Sequence, residues 1–569
     1  MLFSQEPSGA TLLGLSALAG LVFHHAYARR VEIDFYVWSL LGLAAVQGLV
    51  IVLWAVNIWQ VPFPAALYIL VKCMLSFSAS LVSSILIYRG YFHRTGKFPG
   101  PVAARFSSLW TVRKSSGEFK FHQRLSDVHS QYGDFVRIGP RLVSITRAEA
   151  LPQLMALGKG VWWSHTGSDH TKQSFSLSRV PEDHKQRRRP WELGFSERSI
   201  ERFDPDVQEI IGIFLQQAEE QEVVSVPAAM GRLSFDITGL VGFGRSFESS
   251  SRQVAHPGLV AMRKAHYVLG SLRWMPWLMY FLSKLPGGGS DFVPFLDLCA
   301  GVVHDRQARY RAEKASGIDG DEDRKDVMAH VLEAMDEGGP GANSTAEALE
   351  NDSRAMIAAA TDTTQSALAN ALWFLAAEPA LLQRFQKVLD KVFPGGADSF
   401  TYAKLIGNNE TLEWVDAIIH ETLRLRPSGI SGNPRVTNPE GLLIPESEFG
   451  PEVFIPGDVD VLAPTWVIHR DERWFARPLE FLPERWLQGS TIHTDRNGFF
   501  PFNIGKHACV GKTLAMREMR SLVARVALSF DLQFAEGDDW QSYEQKIQDA
   551  FTLASPPFRL MFQKRSRTV

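Results

Sequence analysis

The fold class that this 569-residue sequence predicts begins with helices of two kinds. Three apolar stretches, roughly 10–27, 35–59 and 65–88, occupy the first ninety residues, and the last two approach the ~20 residues that cross a bilayer. A helical run extends from about Thr345 to Glu378, with Ser344 and Glu347 as a capping-box start and Pro379 as its stop. Farther on, Val415, Ile418, Ile419 and Leu423 repeat at helical spacing until Pro427.

The apolar stretches come in series, and the first eight residues carry no Lys or Arg, unlike a cleaved signal peptide. Two or three retained transmembrane helices within 1–96 are expected. Arg29 and Arg30 follow the first stretch, and Arg89, Arg94 and Lys97 follow the third; the intervening link 57–64 has no charge. The positive-inside rule then places the loop at 29–34 and everything after Arg89 in the cytosol. Lys72 inside the third stretch is costly at mid-membrane and calls for a partner within the bundle or an interfacial depth. Phe98-Pro99-Gly100-Pro101 is a stiff hinge into the remaining chain, 97–569.

Composition narrows the partners. Net charge is −3, which excludes a nucleic-acid ligand as the natural expectation, and 45% of residues are hydrophobic, enough for a large core. Cys73, Cys299 and Cys509 are the three cysteines, an odd and sparse set that fits a reducing compartment rather than a disulfide framework.

Chemistry concentrates near the C-terminus, in Phe502-Asn503-Ile504-Gly505-Lys506-His507-Ala508-Cys509-Val510-Gly511. Cys509 opens a helical pattern, and a helix N-terminus favours the thiolate, the metal-ligating form. Gly505 and Gly511 allow close backbone approach, and Phe502 can screen the sulfur from water. On the long helical run, Ala358-Ala359-Ala360-Thr361-Asp362-Thr363-Thr364 sets small side chains beside an acid and an alcohol. Such a stretch leaves room for a flat cofactor, whereas a threonine back-bonded to its own helix is the plain structural alternative. Glu421 and Arg424 are i,i+3 neighbours, followed by Pro483-Glu484-Arg485-Trp486. A basic run from His184 to Arg189 and the isolated Arg435 complete the set. Arginine binds carboxylates bidentately and keeps its charge.

Together, Phe-x-x-Gly-x-x-x-Cys-x-Gly, Glu-x-x-Arg, Pro-Glu-Arg-Trp and the Ala/Asp/Thr stretch resemble the cytochrome P-450 superfamily, in the order that family uses, from about residue 98 onward. The resemblance implies a mainly α (α+β) fold, with a long central helix over the haem and small β-sheets. It implies that Cys509 ligates the iron of haem b (iron protoporphyrin IX), within a loop that also includes Phe502, Gly505, His507 and Gly511. His184, Arg188, Arg435 and His507 would hold the propionates, Glu421, Arg424 and Arg485 would form a buried charge network behind the haem, and Asp362 and Thr363 would deliver protons to bound dioxygen. Ala360 departs from the pattern, standing where the family commonly has glycine. By analogy, the substrate pocket would draw on 161–180, 270–285, the helix around Ala359, 428–434 and 551–556.

With no flavin or nicotinamide domain visible, electrons would come from NADPH-cytochrome P450 reductase, with cytochrome b5 as an additional donor. The implied activity is hydroxylation or epoxidation of a hydrophobic small molecule at the endoplasmic reticulum membrane. Trp274, Met275, Trp277, Leu278, Tyr280, Phe281 and Leu282 make an apolar patch suited either to the bilayer or to a buried helix. The serial apolar segments, the arginines at 187–189 and Phe235-Asp236-Ile237-Thr238-Gly239 are similar to filamentous-fungal microsomal enzymes of secondary metabolism, the tryprostatin B 6-hydroxylase group among them. Two alternatives stay open: an isomerase or dehydratase of the same fold without external oxygen, and a non-catalytic membrane haem sensor.

Overall fold

The computed structural model describes residues 8–164, 169–316, 325–339, 342 and 345–566. Three N-terminal helices are each long and apolar enough to cross a membrane. They are α1 (Gly9–Val22), continued by a π-helical stretch Phe23–Ala28, then α2 (Val37–Asn57) and α3 (Phe63–Ile87). Small residues and serines join α1 to α3. Gly20 sits so close that a Cβ would lie 2.6 Å from the Phe77 carbonyl oxygen, and Ser76 and Ser80 donate to the carbonyls of Leu13 and Ala17. Lys72 finds its partner in the Tyr68 ring, 4.2 Å away.

The rest of the chain is mainly helical. Six helices position the candidate site: α4 (Pro181–Gly194), α5 (Val226–Phe243), α6 (Pro257–Leu272), α7 (Pro276–Ser283), α8 (Ala346–Ala377) and α9 (Asn409–Leu425), with α10 (Lys512–Ser529) following the cysteine. The 32 residues of α8 span about 48 Å at the helical rise. Its cap is Thr345, whose hydroxyl accepts from the Ala348 N–H at 3.0 Å; Ser344 lies outside the described residues. Most of α8 from Ala348 to Ala376 is buried against α5, α10 and α9.

Small sheets brace these helices. Strands β1 (Phe135–Arg137), β2 (Leu142–Ile145), β3 (Arg435–Val436) and β4 (Asp460–Leu462) form one sheet in the order β1-β2-β4-β3. β2 and β4 run parallel, and the other two pairings are antiparallel. The hairpin β5 (Gln548–Ala550) and β6 (Thr552–Ala554) turns through Phe551, at φ 71. That turn presses on α6, where a Cβ at Gly270 would lie 2.8 Å from the Phe551 nitrogen.

The hinge is held rather than free. Pro99 accepts from the Arg137 N–H at 2.7 Å, and a Cβ on Gly100 would come within 2.3 Å of the Arg137 carbonyl oxygen. Gly100→Ala therefore forces the hinge off β1. An expected loss of roughly 1–3 kcal/mol can be read from denaturant unfolding of the purified chain.

Candidate active site

The loop before α10 folds on itself. Cys509 donates its N–H to Phe502 at 2.8 Å, Ala508 donates to Gly505 at 2.9 Å, and Asn503 and Gly505 both adopt positive φ. Cys509 thus arrives two residues ahead of Gly511, the N-terminal cap of α10. It is accessible to solvent, yet surrounding protein still pushes its thiol above the ordinary range. Hydrogen bonding from the Gly511 and Lys512 backbone and the charges of Arg188 and Lys512 oppose that shift without overcoming it. Helix-end stabilisation alone therefore does not ionise Cys509. A metal that displaces the proton does, since a coordinating thiol is deprotonated outright. Phe502 is half-buried beside the core, with Lys512 Nζ 5.8 Å from its ring.

Behind the loop lies a buried charge network. Arg424 gives Glu421 a two-pronged contact at 2.8 and 2.9 Å, and Arg485 Nε and Trp486 Nε1 donate to the same carboxylate at 3.0 and 2.9 Å. The remaining Arg424 and Arg485 donors reach carbonyls of His469, Pro478, Glu480, Ala476 and Arg477. His469 carries the network forward, with Nδ1 donating to the Arg424 carbonyl at 3.2 Å and Nε2 accepting from the Phe500 N–H at 3.1 Å. Burial pushes its pKa down to about 3, so the neutral tautomer that makes both bonds persists. Two residues after Phe500, Phe502 begins the cysteine turn.

Beside the loop is a second buried cluster, built from basic side chains. The His184 and His507 rings lie 5.2 Å apart, Arg435 is 4.8 Å from the Trp163 ring, and Lys159 Nζ is 3.2 Å from His184 Nδ1. His184 donates that Nδ1–H to the Phe175 carbonyl at 2.8 Å, and Lys159 donates to Ser176 at 2.7 Å. Among the described residues, Nε and Nη1 of Arg435, both ring nitrogens of His507 and Nε2 of His184 are buried without a hydrogen-bond partner. Burial, then neighbouring positive charge, lowers Lys159 to about 6 and His507 to about 2. Buried basic groups with hydrogen-bond positions left open suit a dianionic ligand, which would fill those positions and favour their protonated forms. Two haem propionates meet that requirement. Arg188 instead bonds Glu192 at 2.6 Å, and Arg187 is the buried member of its run, tied to Asp352 of α8 at 3.2 Å.

On α8, Ala359 is exposed and Ala355 and Thr363 are partly so, along one stripe of the helix. Asp362 and Thr363 are adjacent in sequence, but their side chains part. The Thr363 hydroxyl donates to its own helix at the Ala359 carbonyl, 2.5 Å away. The Asp362 carboxylate accepts from Thr552 and pairs with His266 Nδ1 at 2.9 Å. Burial raises the Asp362 pKa, but His266, Thr552 and Arg263 together bring it below the ordinary value. Asp362, His266, Arg263, Tyr267 and Thr552 line a cavity of about 270 Å³.

The five segments assigned to the pocket do converge. Phe551 lies 6.3 Å from Trp162 and 5.6 Å from the Arg273 guanidinium, Leu553 donates to the Ser428 carbonyl at 2.9 Å, and Ser428 donates to the Thr363 carbonyl at 2.8 Å. The apolar patch divides: Trp274 and Met275 are buried, Trp277 is exposed, and Tyr280 and Phe281 meet Phe35 and Trp38 at 5.8 and 4.8 Å.

Sequence reasoning did not single out Lys159, Trp163, His266, Thr552 or His469. For Lys159 the signal was present, a lone cation between Gly158 and Gly160 in apolar surroundings.

Comparison with known proteins agrees with this geometry. The Cytochrome P450 family model matches residues 99–562. The chain is 30% identical to cytochrome P450 monooxygenase FCK2 of Fusarium pseudograminearum over 96% of both chains. It is 29% identical to cytochrome P450 monooxygenase nodW of Hypoxylon pulicicidum, over 98% of this chain and 99% of the relative. Tryprostatin B 6-hydroxylase of Aspergillus fumigatus is 28% identical, over 97% and 96%.

Two outcomes test the site. Glu421→Gln leaves two buried arginines without their counter-charge and should cost about 3–5 kcal/mol of stability, measured by unfolding, or prevent folding. Haem binding should raise the Lys159 pKa from about 6. Affinity is then full below that pH and falls as pH rises through 6 toward the pKa of the bound state. Near pH 7.5, calorimetry in buffers of different ionisation heat should record proton uptake, diminished in Lys159→Met.

Proposed function

The chain belongs to the cytochrome P450 family, and from that premise we propose a membrane-anchored monooxygenase that hydroxylates or epoxidises a hydrophobic small molecule in fungal secondary metabolism. It is an O2-dependent oxidoreductase supplied with electrons by a reductase, and its cofactor is haem. The proposed form is haem b, and the proposed donors are NADPH-cytochrome P450 reductase and cytochrome b5. The proposed location is the endoplasmic reticulum membrane, with 1–96 as anchor and 97–569 as the cytosolic catalytic domain. The observation that carries this reading is the buried basic cluster of Lys159, His184, Arg435 and His507 beside the Cys509 loop.

When bound, the haem activates dioxygen for insertion of one oxygen atom into substrate. Cys509 would hold its iron, and Gly505 and Gly511 keep the loop backbone free of side chains there. Arg435, His184, His507 and Lys159 would neutralise the propionates. Phe502 would limit water at the sulfur, and the small side chains of the Ala355–Ala359–Thr363 stripe would leave space for cofactor and substrate.

Asp362 and Thr363 are proposed to manage protons. Thr363 can turn its hydroxyl from the Ala359 carbonyl toward the cleft, because that bond is local and Ala360 adds no bulk. Asp362 opens onto a cavity through which water can reach it. The neighbouring Trp162 and Phe551 rings favour an apolar substrate, and the relatives are named monooxygenases from fungi.

Turnover in membranes tests the reading. Reductase and NADPH should support oxygen consumption that a hydrophobic substrate stimulates. Peroxide rearrangement independent of reductase would favour the isomerase alternative, and inert haem would favour a sensor. Thr363→Ala should keep its haem but divert oxygen to peroxide, lowering product per NADPH by about tenfold; unchanged coupling removes Thr363 from proton delivery.

A further inference from the structure

The loop between α1 and α2 does not stand clear of the catalytic part. Glu32 receives both Nη groups of Arg179, at 2.9 and 2.7 Å, in the paired geometry that gives arginine–carboxylate contacts their specificity. Neighbouring Phe35 and Trp38 pack on Tyr280 and Phe281 of α7, and Trp38 is stacked flat at 4.8 Å. The chain around the α1–α2 turn therefore grips the catalytic part both at Arg179 and at α7.

What Arg179 does with its remaining donor gives the grip its meaning. Its Nε donates to the Lys159 carbonyl at 3.3 Å. Lys159 in turn sends Nζ to Ser176 and toward His184, and lies 5.2 Å from the Trp163 ring. Trp163 Nε1 donates to Pro434 at 2.7 Å, next to Arg435. A continuous path of polar contacts thus runs from Glu32 through Arg179 to the Lys159–His184–Arg435 cluster. No other described acid bonds Arg179.

We propose that Glu32 is a positioning residue for haem retention, holding the propionate cradle in register through Arg179 and the Lys159 backbone. The N-terminal segment is then part of the cofactor site as well as a tether. The cradle gains from such a brace because it is assembled from separate stretches of chain, around Lys159, His184, Arg435 and His507, and several of its buried nitrogens make no hydrogen bond of their own among the described residues to fix it. This inference rests on the haem-binding reading above.

The test uses the full-length protein in detergent micelles, as wild type, Glu32→Gln, Glu32→Asp, Arg179→Gln and the double Glu32→Gln/Arg179→Gln variant. Haem transfer to an excess of a haem-scavenging globin gives the release rate. Trypsin cleavage after Lys159 and Arg179 reports the cradle directly. Glu32→Gln should release haem roughly two- to fivefold faster, the range of a half-exposed ion pair. Glu32→Asp should return most of the difference, and the double variant should be no faster than Arg179→Gln alone. Trypsin should cut faster after Lys159 in Glu32→Gln than in wild type. Equal release from wild type and Glu32→Gln overturns the proposal while leaving the haem assignment intact. So does faster release accompanied by unchanged cleavage and a matching fall in the unfolding midpoint of the haem-free protein, because the effect is then general stability. A wild-type protein that takes up no haem overturns the underlying reading instead.

Discussion

One carboxylate organises the lower half of this molecule. Glu421 accepts from Arg424 twice, from Arg485, from the Trp486 indole and from the Leu482 backbone, all away from water. A buried acid so surrounded cannot be removed without stranding two guanidinium groups. Its worth here is geometric more than energetic. The arginines spend their remaining donors on the irregular chain between His469 and Glu480, which has little regular structure to fix it. His469 then transmits that order to Phe500 and the cysteine turn through a single neutral imidazole.

The opposite condition governs the cradle beside it. Around Glu421 every donor has an acceptor, whereas around Arg435 and His507 several donors have none. The first arrangement is complete in the protein alone, and the second is completed by an anionic ligand. That contrast leaves the second arrangement open to an anion where the first has no room for one. Burial in that cluster, with Arg435 and Arg188 near, is also what lowers the Lys159 pKa so far. On α8 the same logic applies at smaller scale. Asp362 is fully engaged by His266 and Thr552, but Thr363 is tied only to its own helix and is the freer of the two to turn.

Legibility in the sequence followed the range of the interaction. The Cys509 turn and the Glu421–Arg424 pair are built from residues within one or two turns of chain, so their spacing already displayed them. The apolar helices of the N-terminus and the span of α8 were legible from period and length, although the cap proved to be Thr345 and the first apolar stretch ends in a π-helical turn. Arg188 shows what spacing leaves undecided. It is one turn from His184, yet Glu192 lies one turn farther on and takes its side chain, a choice that helical geometry leaves even. The contacts of Lys159, His266 and Glu32 join segments far apart in sequence, and no local pattern encodes them. Asp362 stood out in sequence as an acid beside an alcohol on the long helix, but its partners come from α6 and the β5–β6 hairpin.

The central claim is that Cys509 and the basic cluster together hold a haem by its iron and its propionates. The most direct test is the carbon-monoxide difference spectrum of the reduced full-length protein in membranes, compared with Cys509→Ala. A strongly red-shifted Soret band of the thiolate type, lost in the variant, is the predicted result. A band typical of histidine ligation, or the same spectrum with and without the Cys509 sulfur, would contradict the account.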